Sequence, residues 1–189
     1  LGLFQHDVNV LWDLAVHDLS ILEYIYPDQP TAVSATGMSH LEGGNEDVAY
    51  LTLFYPGRMI AHIHVNWLSP VKVRRTLIGG SKKMIVYDDL EPSEKVKVYE
   101  KGITINGDRE TAYQQRIGYR TGDMWAPKID PVEALQVEAM HFTRSITDGE
   151  TSPSDGQAGL RVVKILEAAT RSLNERGRPV KLGWKGRGD

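Results

Sequence analysis

The chain has 189 residues, 41% of them hydrophobic and 25% charged, and a net charge of −3. That is room for one compact domain with a real core, and less than two full domains usually need. The acidic balance speaks against a nucleic-acid footprint. The lack of cysteine excludes disulfides and thiolate metal sites and suits a reducing cytoplasm, and no apolar run approaches the roughly 18 residues of a membrane span.

The first element runs from about Val8 to Tyr26, with Asn9 as a candidate cap and Pro27 as its stop. Strand-like segments follow at Thr31–Met38, Asp47–Tyr55 and Met59–Leu68, the last two joined by the turn dipeptide Pro56-Gly57. Further strands are expected at Lys72–Ile78, Lys83–Tyr87, Lys95–Glu100, Ile103–Ile105 and Glu110–Tyr113, with Asn106-Gly107 as a tight turn between the last two. The tail is helical. Asp130-Pro131-Val132-Glu133 combines a cap, a proline at the first helical position and a capping-box glutamate, and Leu135, Ala139, Phe142 and Ile146 mark one face up to Gly149. A second start at Ser154-Asp155-Gly156-Gln157 leads into an apolar stripe of Leu160, Val163, Leu166, Ala169 and Leu173, ending at Gly177.

Strands joined by tight turns must be antiparallel. The expected fold is therefore α+β, a single domain over 1–189 with an open, mostly antiparallel sheet and helices packed on one face. No Gly-x-Gly-x-x-Gly occurs, and no strand–turn–helix unit is available to hold a pyrophosphate, so the chain carries no Rossmann domain.

The first helix reads VLWDLAVHDLSILEYI over Val10–Ile25 and is apolar in nearly every direction, the pattern of a buried helix. Asp13, His17 and Asp18 nevertheless sit in its middle, and burying ionisable groups is costly unless they are paired. Asp13 and His17 are four apart and stack on one face, which Ser20 and Tyr24 continue. An imidazole beside a carboxylate gains basicity and orientation, as a general base requires. The same pattern also fits a satisfied ion pair inside the core.

Asp13-Leu14-Ala15-Val16-His17-Asp18 resembles the Asp-x-x-x-His motif that opens the C-terminal domain of Gfo/Idh/MocA oxidoreductases. The stretches Arg120–Lys128 and Asp155–Val163 look like the corresponding segments of members that act on nucleotide sugars. The resemblance implies the substrate-binding half of an NAD(P)-dependent oxidoreductase acting on a secondary alcohol of a sugar or nucleotide sugar. His17 would be the acid/base and Asp13 its partner. It also implies NAD or NADP held mainly by a separate N-terminal Rossmann domain that supplies a catalytic lysine, and a homo-oligomer, dimer or tetramer, built through the sheet face. Many members carry a glycine cluster before this helix where the present chain has Asp7-Val8-Asn9, so Asn9 becomes a candidate sugar contact. The chain opens with Leu1 rather than methionine, which points to a fragment or processed product, and without a nucleotide domain it should neither bind NAD tightly nor turn over.

Other candidates carry bland readings beside functional ones. Arg74 lies in a basic stretch with Lys72, Arg75, Lys82 and Lys83, either a solvated sheet edge or a substrate-phosphate contact. Arg120 and Trp125 occupy a Gly- and Pro-containing loop suited to sugar stacking or subunit contact. His62 and His64 share one strand face at i,i+2 spacing, which with His40, Glu42 or Glu46 would suit a metal site, though a polar sheet face explains them as well. Trp12 and Trp67 read as core or interface residues. A non-catalytic oligomerisation module is the third reading, because an antiparallel sheet covered on one side must hide or solvate the other.

Overall fold

The computed structural model describes residues 5–41, 44–100, 102–106, 116–120, 122–130 and 132–184, with the backbone alone for 102–106 and 116–120. The fold is α+β, and every strand pairing among the described residues is antiparallel. The chain forms two compact units, Leu1–Pro70 with Glu138–Asp189, and Val71–Val137.

In the first unit a π-helical turn, Leu11–Ala15, leads into helix α1, Val16–Ile25. Tyr26, placed before Pro27, is extended at φ −122° and ends the helix, as pre-proline sterics require. Three strands follow: β1 (Ala32–Met38), β2 (Val48–Phe54) and β3 (Ile60–Asn66). β1 pairs with β2 over its full length, and β2 with β3 from Val48↔Asn66 to Phe54↔Ile60. The expected Pro56-Gly57 turn lies between them, with Gly57 at φ +74°, a conformation glycine adopts at little cost.

Alternation sends Val33, Ala35, Ala49, Leu51, Leu53, Ile63 and Val65 to one face, where all are buried. Helix α3 (Gly156–Asn174) covers that face with Val162, Ile165, Leu166, Ala168 and Ala169, and Val10, Leu11, Ala15 and Leu19 of the first helical segment complete the core. Asp155 caps α3 by accepting Ala158 N–H at 2.8 Å. The short strand β10 (Val180–Lys181) pairs β1 only at Ala32 and Val33. The Ala35 N–H beyond it is met by Ser172 Oγ of α3 at 2.9 Å, and that hydroxyl donates to Arg178 O at 2.7 Å. A fully buried serine thus replaces the missing ladder bonds.

Two registers differ from the sequence reading. Leu160 and Val163, assigned to the buried stripe of α3, are 47% and 39% exposed, while Val162 and Ile165 point inward. The first helix is apolar all round, yet it is covered on one side only: Ile21, Tyr24 and Ile25 are 41%, 74% and 45% exposed.

In the second unit, β4 (Arg75–Gly79), β5 (Met84–Asp88), β6 (Val96–Tyr99) and β9 (Met124–Trp125) form a four-stranded sheet in that order. β7 (Gly102–Asn106) pairs with β8 (Arg116–Arg120), from Gly102↔Arg120 to Asn106↔Arg116. The partner of β7 is therefore 116–120 and not the strand expected at 110–113, which falls outside the described residues, as does Gly107. Helix α2 spans Ala134–Thr147, with Ala134–Val137 in this unit and the rest in the first, and it starts after the expected capping box, of which Pro131 is not described. Its apolar Leu135, Phe142 and Ile146 are 70%, 68% and 70% exposed, and none of its residues is buried.

Candidate functional site

The helix that carries Asp13 and His17 is fixed at its start by Asn9. The Asn9 side-chain oxygen accepts Leu11 N–H at 3.2 Å and Trp12 N–H at 3.4 Å, which satisfies donors that a helix start leaves orphaned. Asn9 Nδ2 donates to Glu46 Oε2 at 3.1 Å, and Val10 N–H donates to Glu46 O at 3.0 Å. Asn9, expected either to cap the helix or to touch a sugar, has its side chain bonded to the helix start and to Glu46.

Asp13 lies in the π-helical turn, a widened turn of the kind often found at functional sites. Its Oδ2 accepts the indole N–H of Trp67 at 2.7 Å. Trp67 is 3% exposed and lies just beyond β3, and its own backbone N–H donates to Asp47 O at 2.9 Å. His17, one turn on, is exposed and makes no hydrogen bond or ion pair among the described residues. The two residues thus share a helix, but the carboxylate is held by a tryptophan while the imidazole faces solvent. Trp67 lies in the core, as expected for a core or interface residue, but sequence reasoning missed its bond to Asp13. The available signal was a tryptophan ending a cleanly alternating strand, whose buried N–H needs an acceptor.

Ser20 and Tyr24, which continue the polar strip, line an apolar groove of about 490 Å³ between α1 and α3, walled by Val16, Ile21, Ala158 and Val162. Glu23 lies at the same groove, paired with Arg161 of α3 and accepting Gln29 Nε2 at 2.9 Å.

Next to the helix start, Asp47 is 1% exposed. Its carboxylate accepts the His40 backbone N–H and bonds the His40 ring Nδ1, both at 2.7 Å. Burial alone would raise the Asp47 pKa; hydrogen bonds from the His40 ring and backbone, with attraction to the imidazole, outweigh it and leave the pKa below the usual value.

The remaining candidates are scattered. His62 and His64 stand on the outward face of β3. The His64 ring stacks on Tyr50 at 4.5 Å, and His62 Nδ1 is 3.1 Å from Thr52 Oγ1. His40 is engaged with Asp47 and Glu46 with Asn9, Glu42 is outside the described residues, and no group of three His, Asp or Glu able to hold a metal ion occurs among the described residues. In the second unit Arg74 is 3.8 Å from Asp89, and the neighbouring Arg75 pairs with Asp88 at 2.6 Å. Trp125 is 48% exposed on β9, with Lys83 Nζ 6.0 Å from its ring centroid. Arg120 ends β8, where only the backbone is described. No described helix is long and apolar enough to cross a membrane.

The model of the GFO/IDH/MocA C-terminal domain matches residues 5–86, the stretch that holds α1, β1–β4, the start of β5, Asp13, His17 and Trp67. UDP-N-acetylglucosamine 3-dehydrogenase GnnA from Acidithiobacillus ferrooxidans is similar in structure at 20% identity and a TM-score of 0.67, covering 91% of this chain and 50% of its own. Aldose-aldose oxidoreductase from Caulobacter crescentus, complexed with glycerol, is similar at 21% and 0.67, covering 92% and 47%. GenD2 from gentamicin A biosynthesis, in complex with NAD, is similar at 18% and 0.68, covering 93% and 48%. At these identities the likeness is one of fold, and the chain spans about half the length of the solved structures it matches. No curated protein gives a significant match. The class defined by the fold is an α+β domain with antiparallel sheets. The match to the GFO/IDH/MocA C-terminal domain is carried by residues 5–86, and over the rest of the chain the likeness is one of fold.

Proposed function

We propose that this chain is the substrate-binding half of an NAD(P)-dependent oxidoreductase that oxidises or reduces a secondary alcohol on a sugar or nucleotide sugar, with His17 as the acid/base. The observation that carries the reading is an imidazole open to solvent on a helix whose other side is core, one turn from a carboxylate held by a buried indole. A core ion pair would have sealed both groups. Oxidation of an alcohol removes a proton from oxygen and a hydride from carbon, and the residues of this chain bear on the proton: His17 takes it from the hydroxyl and returns it in reduction. Asp13 Oδ1 has no hydrogen bond among the described residues and can meet the hydroxyl or the imidazole. The described residues do not fit a dinucleotide, because their strands pair antiparallel throughout and no strand–glycine turn–helix unit is present. The nicotinamide therefore belongs to another domain, and Arg74, Arg120 and Trp125 are candidate contacts for the substrate beyond its reacting carbon.

In the chain joined to a nucleotide-binding half, His17→Ala is expected to lower turnover by roughly 10² to 10⁴, the range of lost acid–base catalysis. Turnover close to the parent would remove His17 from the mechanism. A second role is favoured by the open face of β1–β3. Its outward residues, Ser34, Thr36, Met38, Tyr50, Ile60, His62 and His64 among them, include no Lys, Arg, Asp or Glu. Such a face suits association with a second copy. Light scattering at micromolar concentration tests it, and a strict monomer would count against it.

A further inference from the structure

We infer that Trp67 is a positioning residue for Asp13, setting which carboxylate oxygen faces the substrate. The inference rests on the proposed roles of Asp13 and His17, and adds to them a residue that touches neither substrate nor cofactor.

The geometry is a short tether with a rigid anchor. Trp67 Nε1–H donates to Asp13 Oδ2 at 2.7 Å across 54 residues of sequence. The indole is 3% exposed and belongs to the core cluster with Leu11, Ala15 and Val65. Its backbone N–H is bonded to Asp47 O, and the turn that follows is closed by Leu68 N–H onto Asn66 Oδ1 at 2.6 Å. The donor therefore cannot follow the carboxylate; the carboxylate must come to it. A helical aspartate left to water samples several side-chain rotamers, and one fixed donor selects among them. With Oδ2 engaged, Oδ1 is the atom left to address a hydroxyl or the imidazole.

Indole suits this task because its N–H is a donor only, with no lone pair to accept a proton. It can orient the carboxylate without competing in proton transfer. Phenylalanine would fill much of the same core volume and offer no N–H.

The test is Trp67→Phe, Asp13→Ala and the double variant, each in the chain joined to its nucleotide-binding half. Trp67→Phe is expected to lower kcat about tenfold, the scale of one hydrogen bond to a charged group, with KM within about twofold. Because the two residues act as a unit, the double variant should be no slower than Asp13→Ala alone; a merely structural Trp67 would give losses that multiply. Independently of activity, the indole N–H resonance of Trp67 in the 189-residue chain should move in Asp13→Ala, while that of Trp125 stays. Unchanged kcat in Trp67→Phe, multiplying losses, or an unmoved Trp67 resonance would overturn the inference while leaving an impaired His17→Ala to support the wider reading. If His17→Ala and Asp13→Ala both turn over normally, the wider reading fails and takes this one with it.

Discussion

Replacing Asn9 separates a cap from a substrate contact, because the two roles respond differently to the same substitutions. The side chain is 9% exposed and makes three hydrogen bonds, accepting from Leu11 and Trp12 N–H and donating to Glu46 Oε2 at 3.1 Å. Asn9→Ala removes all three. Loss of a cap costs about 1 kcal/mol, with a range of about 0.5–2, and loss of a half-buried bond to a carboxylate adds about 1 kcal/mol more. The expected total is about 2 kcal/mol, or about 4–8 °C in Tm for a chain of this size. Asn9→Ser keeps an acceptor for the helix N–H groups and forfeits only the Glu46 bond, so it should recover about half the loss. Urea unfolding of the three chains, followed by circular dichroism, measures this. A chain with Asn9→Ala as stable as the parent, or one with Asn9→Ser no better than Asn9→Ala, would refute the capping account. If Asn9→Ser instead folds normally and raises KM alone in the complete enzyme, Asn9 touches the substrate.

Two further outcomes follow from the shifted groups. The Asp47 pKa is depressed in the fold, so its contribution to stability is fully present above the ordinary carboxylate pKa and is lost as pH falls through the lowered value. His40→Ala removes the ring bond and raises that folded value, so acid unfolding should begin at higher pH; an unchanged acid limb would count against the pair. The Tyr55 phenol is pushed up to about 12 by burial first, then by Glu23 and Tyr26. Tyrosine absorbance should show a phenol ionising only near pH 12, and stability should be lost from pH 10 towards 12 as the unfolded chain alone ionises; Tyr55→Phe should remove that loss.

The parts of the fold that rest on local pattern were legible. Alternation in Met59–Trp67 located β3 and its two faces, Pro56-Gly57 located the hairpin, and Asp155 announced the start of α3. What failed depended on contacts distant in sequence or on a fine phase. Leu160 and Val163 were assigned to the buried face wrongly because that face of α3 is set by the sheet it packs on, toward which Val162 and Ile165 are buried. Helical periodicity alone tolerates either choice. The pairing of Asn106 with Arg116 was hidden because Asn-Gly is a strong turn signal only when the strands close over two residues. At the site, Asp13 and His17 were visible from their spacing, but the four-residue rule assumes an α-helical turn. Here the turn is π-helical, and the carboxylate found its partner on β3's far end rather than on its own helix.

The polar groups of the first helix show how such a helix is tolerated. On a helix apolar on nearly every side, Asp13 and His17 read either as an acid/base pair at a cleft or as a satisfied ion pair in the core. The structure solves the two problems separately. Asp13, half-buried, has a donor supplied by the core; His17 needs none because its side of the helix is open; Glu23, 12% exposed in its side chain, is neutralised by Arg161. The residues left unexplained are then the apolar ones, Ile21, Tyr24 and Ile25, exposed on the same side as His17. Exposed aliphatic surface has no value for binding a proton-transfer partner in water, but it has value if the site is closed over, because excluding water strengthens each electrostatic contact inside. Under the proposed function, the polar strip and the apolar surface beside it would be covered together by the nucleotide-binding half, and the exposure of Ile21, Tyr24 and Ile25 is consistent with that reading.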